Sequence, residues 1–221
     1  MAFPKFTLKR ALLSLGGVAL AVGGALQLSR LYFEEPEFER VSHEGDFELR
    51  RYAPRVVAET YVEAASRESA TSEGFSRLAG YIFGGNRDIA MTTPVEAAAA
   101  DEEREGQSIS MTTPVEAAPV DGRWRITFTM PSEYRLADLP QPDDERVTLR
   151  EDSGQLVATV RFSGSSPEAQ RVEQLTDELT EWVASTGYEM TSPVTVAQYD
   201  PPSAIIPFLR RNELLVDVQA L

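Results

Sequence analysis

Met91-Thr92-Thr93-Pro94-Val95-Glu96 is followed, after a stretch rich in alanine and acid, by the identical Met111-Thr112-Thr113-Pro114-Val115-Glu116. Six residues repeated without a change do not arise from composition. Thr and Val supply β propensity, and each Pro, having no N–H to give a ladder, confines its copy to an edge, a bulge or a strand end. Two copies with no third do not make a solenoid. The reading is therefore of paired strands in one hairpin-like excursion, with Ala97–Gly106 as the exposed loop between them.

Outward from the repeat, the pattern alternates between strand and helix. Upstream, Phe75, Leu78, Ala79 and Ile82 fall at i, i+3, i+4 and i+7, one face of a helix that follows Ser66 as N-cap and stops at Gly84-Gly85. Arg77 lies off that stripe. Before the helix, Phe38–Ser42 and Phe47–Tyr52 form a hairpin around His43-Glu44-Gly45-Asp46, and Val56–Val62 is a third strand. Downstream, Trp124–Met130 alternates large and polar residues, and Pro131–Arg146 is a Pro- and Asp-rich surface connection. The second half then echoes the first, with strands at Val147–Arg150 and Leu156–Phe162 leading into a helix. That helix has Ser166 as N-cap, Pro167 at its first position, Val172, Leu175, Leu179, Trp182 and Val183 on one face, and Gly187 as terminator. Strands at Thr195–Tyr199 and Glu213–Gln219 close the chain, joined across the apolar Ile205-Ile206-Pro207-Phe208-Leu209. Strands, helix, strands, twice over, give an α+β fold with two helices on one antiparallel sheet system.

Charge narrows the possible partners. Residues 31–221 carry 17 basic and 35 acidic side chains, and the only two lysines of the chain, Lys5 and Lys9, lie in the N-terminal tail. Such a surface repels nucleic acid. Acid excess without lysine fits a halophile, whose carboxylates keep the chain hydrated when molar salt shortens the Debye length to about 3 Å. An ordinarily acidic protein from a high-GC genome fits it too. The absence of cysteine excludes disulfides, thiolate metal sites and cysteine nucleophiles.

Ala11–Leu28 is an uncharged, mostly apolar run of 18 residues, at the short end of what spans a bilayer. Lys5, Lys9 and Arg10 precede it, and after it Glu34, Glu35 and Glu37 soon follow Arg30. This asymmetry puts the N-terminus in the cytoplasm and the domain outside. Residues 1–30 are accordingly expected to be a transmembrane signal-anchor, and residues 31–221 the folded domain. Small-residue sites at Ala19-Leu20-Ala21 and Gly23-Gly24-Ala25 offer the alternative of a cleaved signal peptide and a secreted domain.

Enzyme readings fail on inventory. One histidine, His43, cannot build a triad or a histidine-rich metal site, and there is no Gly-rich phosphate loop. His43 sits in a predicted polar turn, where water competes for any metal. Met91, Met111, Met130 and Met190 read as core filler before thioether ligands.

The ordered set of motifs Gly74-Phe75-Ser76-Arg77-Leu78-Ala79-Gly80-Tyr81-Ile82-Phe83-Gly84-Gly85-Asn86, the Met-Thr-Thr-Pro-Val-Glu copies, Phe128-Thr129-Met130-Pro131-Ser132, Val160-Arg161-Phe162-Ser163-Gly164 and Arg210-Arg211-Asn212-Glu213 resembles the SOUL haem-binding protein family, from about Phe38 to Val218. The resemblance implies a distorted antiparallel β-barrel of two pseudo-repeated halves flanked by two helices. It further implies non-catalytic binding of haem or a related tetrapyrrole in an apolar groove made by the first helix and the C-terminal segment. On that footing Phe75, Leu78 and Ile82 either border the groove or are core. Tyr81 either meets iron or a propionate, or is a buried aromatic with a satisfied hydroxyl. Arg77, Arg210 and Arg211 are candidates for the propionates, although the Arg-Arg-Asn-Glu run equally serves to tie the last strand into the fold. Some relatives carry His before the Tyr of the first-strand motif; here that place is Arg51, next to Tyr52. A protein-interaction module on the same fold and a tetrapyrrole-modifying enzyme are the alternatives.

Overall fold

The computed structural model describes residues 33–87, 106–164, 168–200 and 206–221. The chain divides into two compact units, Met1–Phe33 and Glu34–Leu221, and the fold below is that of the second. No helix among the described residues is long and apolar enough to cross a membrane, and the predicted span Ala11–Leu28 lies outside them.

Two β-β-β-α-β-β-β units follow one another. The first has β1 (Phe38–Glu44), β2 (Phe47–Tyr52), β3 (Arg55–Val62), α1 (Arg67–Ile82), the short β4 (Asn86–Arg87), β5 (Val115–Val120) and β6 (Arg123–Thr129). The second has the short β7 (Gln141–Pro142), β8 (Val147–Asp152), β9 (Leu156–Ser163), α2 (Ala169–Ser185), β10 (Tyr188–Met190), β11 (Thr195–Gln198) and β12 (Arg211–Ala220). Ten strands form one antiparallel sheet in the order β1-β2-β9-β12-β11-β5-β6-β3-β8, with β10 on β12. From β2 to β8 that order is symmetric about the β11–β5 pair, with β2 answering β8, β9 answering β3 and β12 answering β6. The first unit lends β1 and β2 to the other's side and the second lends β8, so neither half of the sheet is complete alone.

The sheet is not closed, which corrects the expected barrel: β1 and β8 are its two ends. Both ends are charged. β1 is exposed along its whole length and carries Glu39, Arg40 and Glu44, and β8 carries Arg150, Glu151 and Asp152. Charged side chains on an edge oppose further strand pairing.

Register puts both helices on one face. Ala117 of β5 pairs with Val196 of β11, and cross-strand partners point the same way. Ala117 belongs to a cluster with Ala58, Leu78, Ile82, Ile126 and Phe128 under α1, and Val196 to one with Val160, Leu179, Trp182, Leu214 and Val216 under α2. Helix and sheet approach closely at Gly74, where a Cβ would lie 2.4 Å from Cγ1 of Ile126. Ser66 caps α1 as expected, its Oγ accepting from the Ser69 N–H at 3.2 Å. At the other end the Asn86 amide donates to the carbonyls of Tyr81 (2.7 Å) and Gln107 (2.8 Å) and accepts from the Gln107 N–H (3.0 Å). The side chain after the glycine stop thus takes up one of the orphan carbonyls of the helix end.

Several expectations shift. His43 lies at the end of β1, paired with Glu48, so the turn has shrunk to Gly45-Asp46. The cap position of α2 is Glu168, without a side-chain bond, and the predicted cap Ser166 with Pro167 lies outside the described residues. The first repeat copy, Met91–Glu96, and the loop up to Glu105 also lie outside them. In the second copy β5 starts directly after Pro114, the strand end that proline permits. Val115 and Glu116 already have neighbours on both sides, Phe128 and Thr127 of β6 and Gln198 and Ala197 of β11. The hairpin pairing of the two copies therefore does not extend to these residues.

Candidate ligand-binding site

One face of the sheet is covered by helices; the other is lined with charge. On β12 the residues Asn212, Leu214, Val216 and Val218 turn toward α2, so Arg211, Glu213, Leu215 and Asp217 turn away from it. Across the strands the same alternation sends Arg50 and Tyr52 (β2), Arg55 and Glu59 (β3), Glu116 (β5), Arg125 (β6) and Arg150 and Asp152 (β8) to this face.

Glu213 is the centre of one part of it, only 1 % exposed. Arg50 grips its carboxylate from both Nη atoms, at 2.6 and 3.3 Å, the Tyr199 hydroxyl donates at 2.8 Å and Arg161 Nε at 3.3 Å. Burial pushes the Glu213 pKa up, but the bonds and charge of Arg50, the Tyr199 hydroxyl and Arg211 outweigh that and hold it below the usual carboxylate range. Burial likewise drives the Tyr199 phenol well above its ordinary value, with the Glu213 charge adding to it. Arg211 stacks on the Tyr199 ring, 3.5 Å from its centroid, and pairs with Glu35 at 2.5 Å. This network draws its partners from the protein, although Arg211 Nε is buried without a hydrogen bond, 4.0 Å from Glu213, and it reads as a clamp joining β2, β12 and the segment that leads into β1.

Beside it open two joined clefts. The larger, of about 670 Å³, is lined among others by Glu34, Glu35, Pro36, Glu37, Pro54, Arg55, Met130, Pro131, Tyr134, Arg135, Arg150 and Glu151. The smaller, of about 240 Å³, is lined by Tyr52, Glu116, Arg125, Asp217 and others, and shares Arg55, Arg150, Asp152 and Gln155 with the first. The larger lies within the size range of small-molecule sites. Arg55 is fixed by Asp152 (3.2 Å), Glu116 (3.4 Å) and the Tyr52 ring. Burial opposes its charge, yet Glu116 and Asp152 keep its pKa above the ordinary value. Arg150 is tethered by Glu59 at 2.8 Å while keeping part of its surface, and Arg135, next to Asp138, is largely exposed. Burial raises the pKa of Asp217, with help from Asp152. No cluster of three or more metal-ligating His, Cys, Asp or Glu side chains occurs among the described residues.

The residues singled out in the sequence do not all meet at one place. Leu78, Tyr81 and Ile82 are sealed in the core under α1, at most 2 % exposed, and the Tyr81 hydroxyl donates to the Pro140 carbonyl at 3.0 Å. Burial pushes the Tyr81 pKa up to about 12. Phe75 is partly exposed and packs edge-on against Phe128. Arg77 reaches from α1 to Thr60 Oγ1 and the Tyr61 carbonyl of β3 and to Glu73. Arg211 points to the helix-free face of the other half, and the Arg210 carbonyl accepts from the Gly164 N–H. Arg55, Arg150 and Glu213 escaped the sequence reading as site residues; the signal that could have found them is charge recurring at every second position of apolar strands.

Residues 33–217 match the family model described as SOUL heme-binding protein. The chain belongs to the SOUL haem-binding protein family. Heme-binding protein 2 of Mus musculus is 31 % identical to this SOUL protein over 135 residues, 59 % of this chain and 58 % of the relative; the Homo sapiens protein of that name gives the same figures. The match thus spans under two thirds of the relatives' length. Among solved structures the C-terminal domain of EcmrR superposes on the SOUL chain with a TM-score of 0.56 and 9 % identity, covering 83 % of this chain and 99 % of that one. EcmrR in its DNA complex gives 0.54 and 8 %, covering 97 % and 69 %. At such identity the likeness is one of fold alone.

Proposed function

We propose that this protein binds haem or a related tetrapyrrole without transforming it, in the larger of the two clefts. Membership of the SOUL family supports the ligand class, and the relatives are named as binding proteins. The observation that carries the site is the lining of the 670 Å³ cleft, where Pro36, Pro54, Met130 and Pro131 stand beside Arg55, Arg135 and Arg150. A tetrapyrrole brings a broad apolar face and carboxylates, so the size and the donor chemistry fit; the guanidinium groups would take the propionates and the prolines and Met130 the ring. The acids of the lining, Glu34, Glu35, Glu37 and Glu151, restrict the carboxylates to the arginine side. His43, on exposed β1, is outside the lining. The apolar run Ala11–Leu28 supports an anchor that holds the domain on the outer side of a membrane, and the acidic surface disfavours nucleic acid.

An absorption titration with hemin on residues 31–221 tests the reading. The Soret band should shift, unchanged in His43→Ala, and Arg150→Glu or Arg135→Glu should weaken binding by about tenfold, roughly 1.4 kcal/mol. Weakening by Arg77→Glu or Arg210→Glu instead would move the site to α1 and the C-terminal segment. No shift in any protein would remove the tetrapyrrole and leave an interaction module.

A further inference from the structure

The turn that precedes β12 is apolar and outward-facing. Ile206, Phe208 and Leu209 are 42, 68 and 36 % exposed, in a 3-10 turn closed by the Leu209 N–H donating to the Ile206 carbonyl at 2.9 Å. Water-facing Ile, Phe and Leu side by side mark an interaction surface. Its base is held firmly: the Arg211 N–H donates to Asp200 Oδ2 at 2.6 Å, and the Arg211 carbonyl accepts from the Tyr199 N–H at 3.2 Å. The Arg211 guanidinium binds Glu35 at 2.5 Å.

That last bond ties the base of the turn to the start of the folded domain. Glu35 lies seven residues after Leu28, the end of the apolar run, and seven extended residues reach at most about 25 Å. Where Ala11–Leu28 crosses a bilayer, Glu35 is tethered close to the membrane surface, and the apolar turn, two residues from Arg211, is tethered with it. We propose that Ile206, Phe208 and Leu209 dock into the interfacial layer of the same bilayer and give the domain a second point of attachment. The proposal rests on the anchor reading and is independent of the tetrapyrrole. An aromatic side chain flanked by aliphatic ones suits the boundary between headgroups and acyl chains. The net acidity of the domain selects a zwitterionic over an anionic surface, since like charges repel.

The chain contains no cysteine, so single nitroxide labels can be placed without background. Full-length Phe208→Cys and Leu209→Cys, labelled and reconstituted in phosphatidylcholine vesicles, would be compared by spin relaxation with Glu189→Cys. Glu189 pairs with Gln219, eight residues up β12 from Arg211, about 26 Å away. Docking predicts that labels at 208 and 209 become severalfold more accessible to oxygen and less accessible to a water-soluble nickel chelate than the label at 189. Nickel access at 208 and 209 equal to that at 189, in chains that float with the vesicles, would overturn docking and leave the anchor. Low access to both reagents would also overturn it, showing the turn covered by protein, whether the N-terminal segment or a second copy. Chains that do not float with vesicles would overturn the anchor and the docking together.

Discussion

The two faces of this sheet are made by the same strands with the same alternation, and they differ in what covers them. Toward the helices, Leu179 and Leu214 are completely buried among aliphatic neighbours. On the other face, Glu213 is as deeply buried, but its partners are Arg50, Tyr199 and Arg161. Burial of a carboxylate is tolerable only when its charge is matched and its oxygens are bonded. The difference teaches that burial alone does not mark a core: one face stabilises by excluding water, the other holds fixed, paired charges around clefts.

Breaking the charged face should have the largest effect. Glu213→Ala leaves Arg50 buried without its partner and should cost roughly 3–5 kcal/mol, against about 2–5 kcal/mol for Leu179→Ala on the helix side. Urea unfolding at neutral pH compares them. A loss under about 1 kcal/mol for Glu213→Ala, the size of an exposed ion pair, would reduce the network to surface decoration.

Acid should separate the faces next. Because the folded-state pKa of Glu213 is depressed, its contribution is present above the unfolded value of about 4.3 and is lost as pH falls through the lower folded value. Wild type should therefore lose more stability than Glu213→Gln between pH 6 and pH 3, whereas Leu179→Ala should follow the wild-type slope. Denaturation midpoints across that range give the result, and parallel curves for wild type and Glu213→Gln would contradict it.

The smallest effect belongs to a single neutral bond buried beside α1, that of the Tyr81 hydroxyl. Tyr81→Phe removes the donor to the Pro140 carbonyl and should cost about 1 kcal/mol. Since the folded pKa of Tyr81 is raised to about 12, its contribution is full below the unfolded value near 10 and is lost as pH rises toward 12. Alkaline unfolding of the variant should lack that part of the slope.

How much of this was legible in the chain differs by element. The helices were, because Leu175, Leu179, Trp182 and Val183 recur at helical spacing, and so were most strands. The short β10 was missed because three residues, Tyr188–Met190, are too few for a period to show. In α1 the buried stripe of Ala70, Gly74, Leu78, Tyr81 and Ile82 is displaced from the one drawn through Phe75, since the sheet comes nearest at Gly74 and an aromatic beside it is turned toward the rim. The cleft was not legible, since Arg55, Arg135 and Arg150 come from separate strands and loops and only their pairing gathers them.

The sequence by itself determined the α+β class, the two-unit order, the glycine and asparagine that stop α1 and the acidic surface, because these depend on residue type and on spacing within a few turns or strands. Tertiary structure alone decided that β2 crosses to β9 and β8 to β3, that the sheet stays open, and that Glu213 meets Arg50 from 163 residues away. Periodicity says which side of a strand is apolar. It does not say which strand lies alongside, for that is settled by which edges, registers and charges fit once the whole chain competes for the same partners.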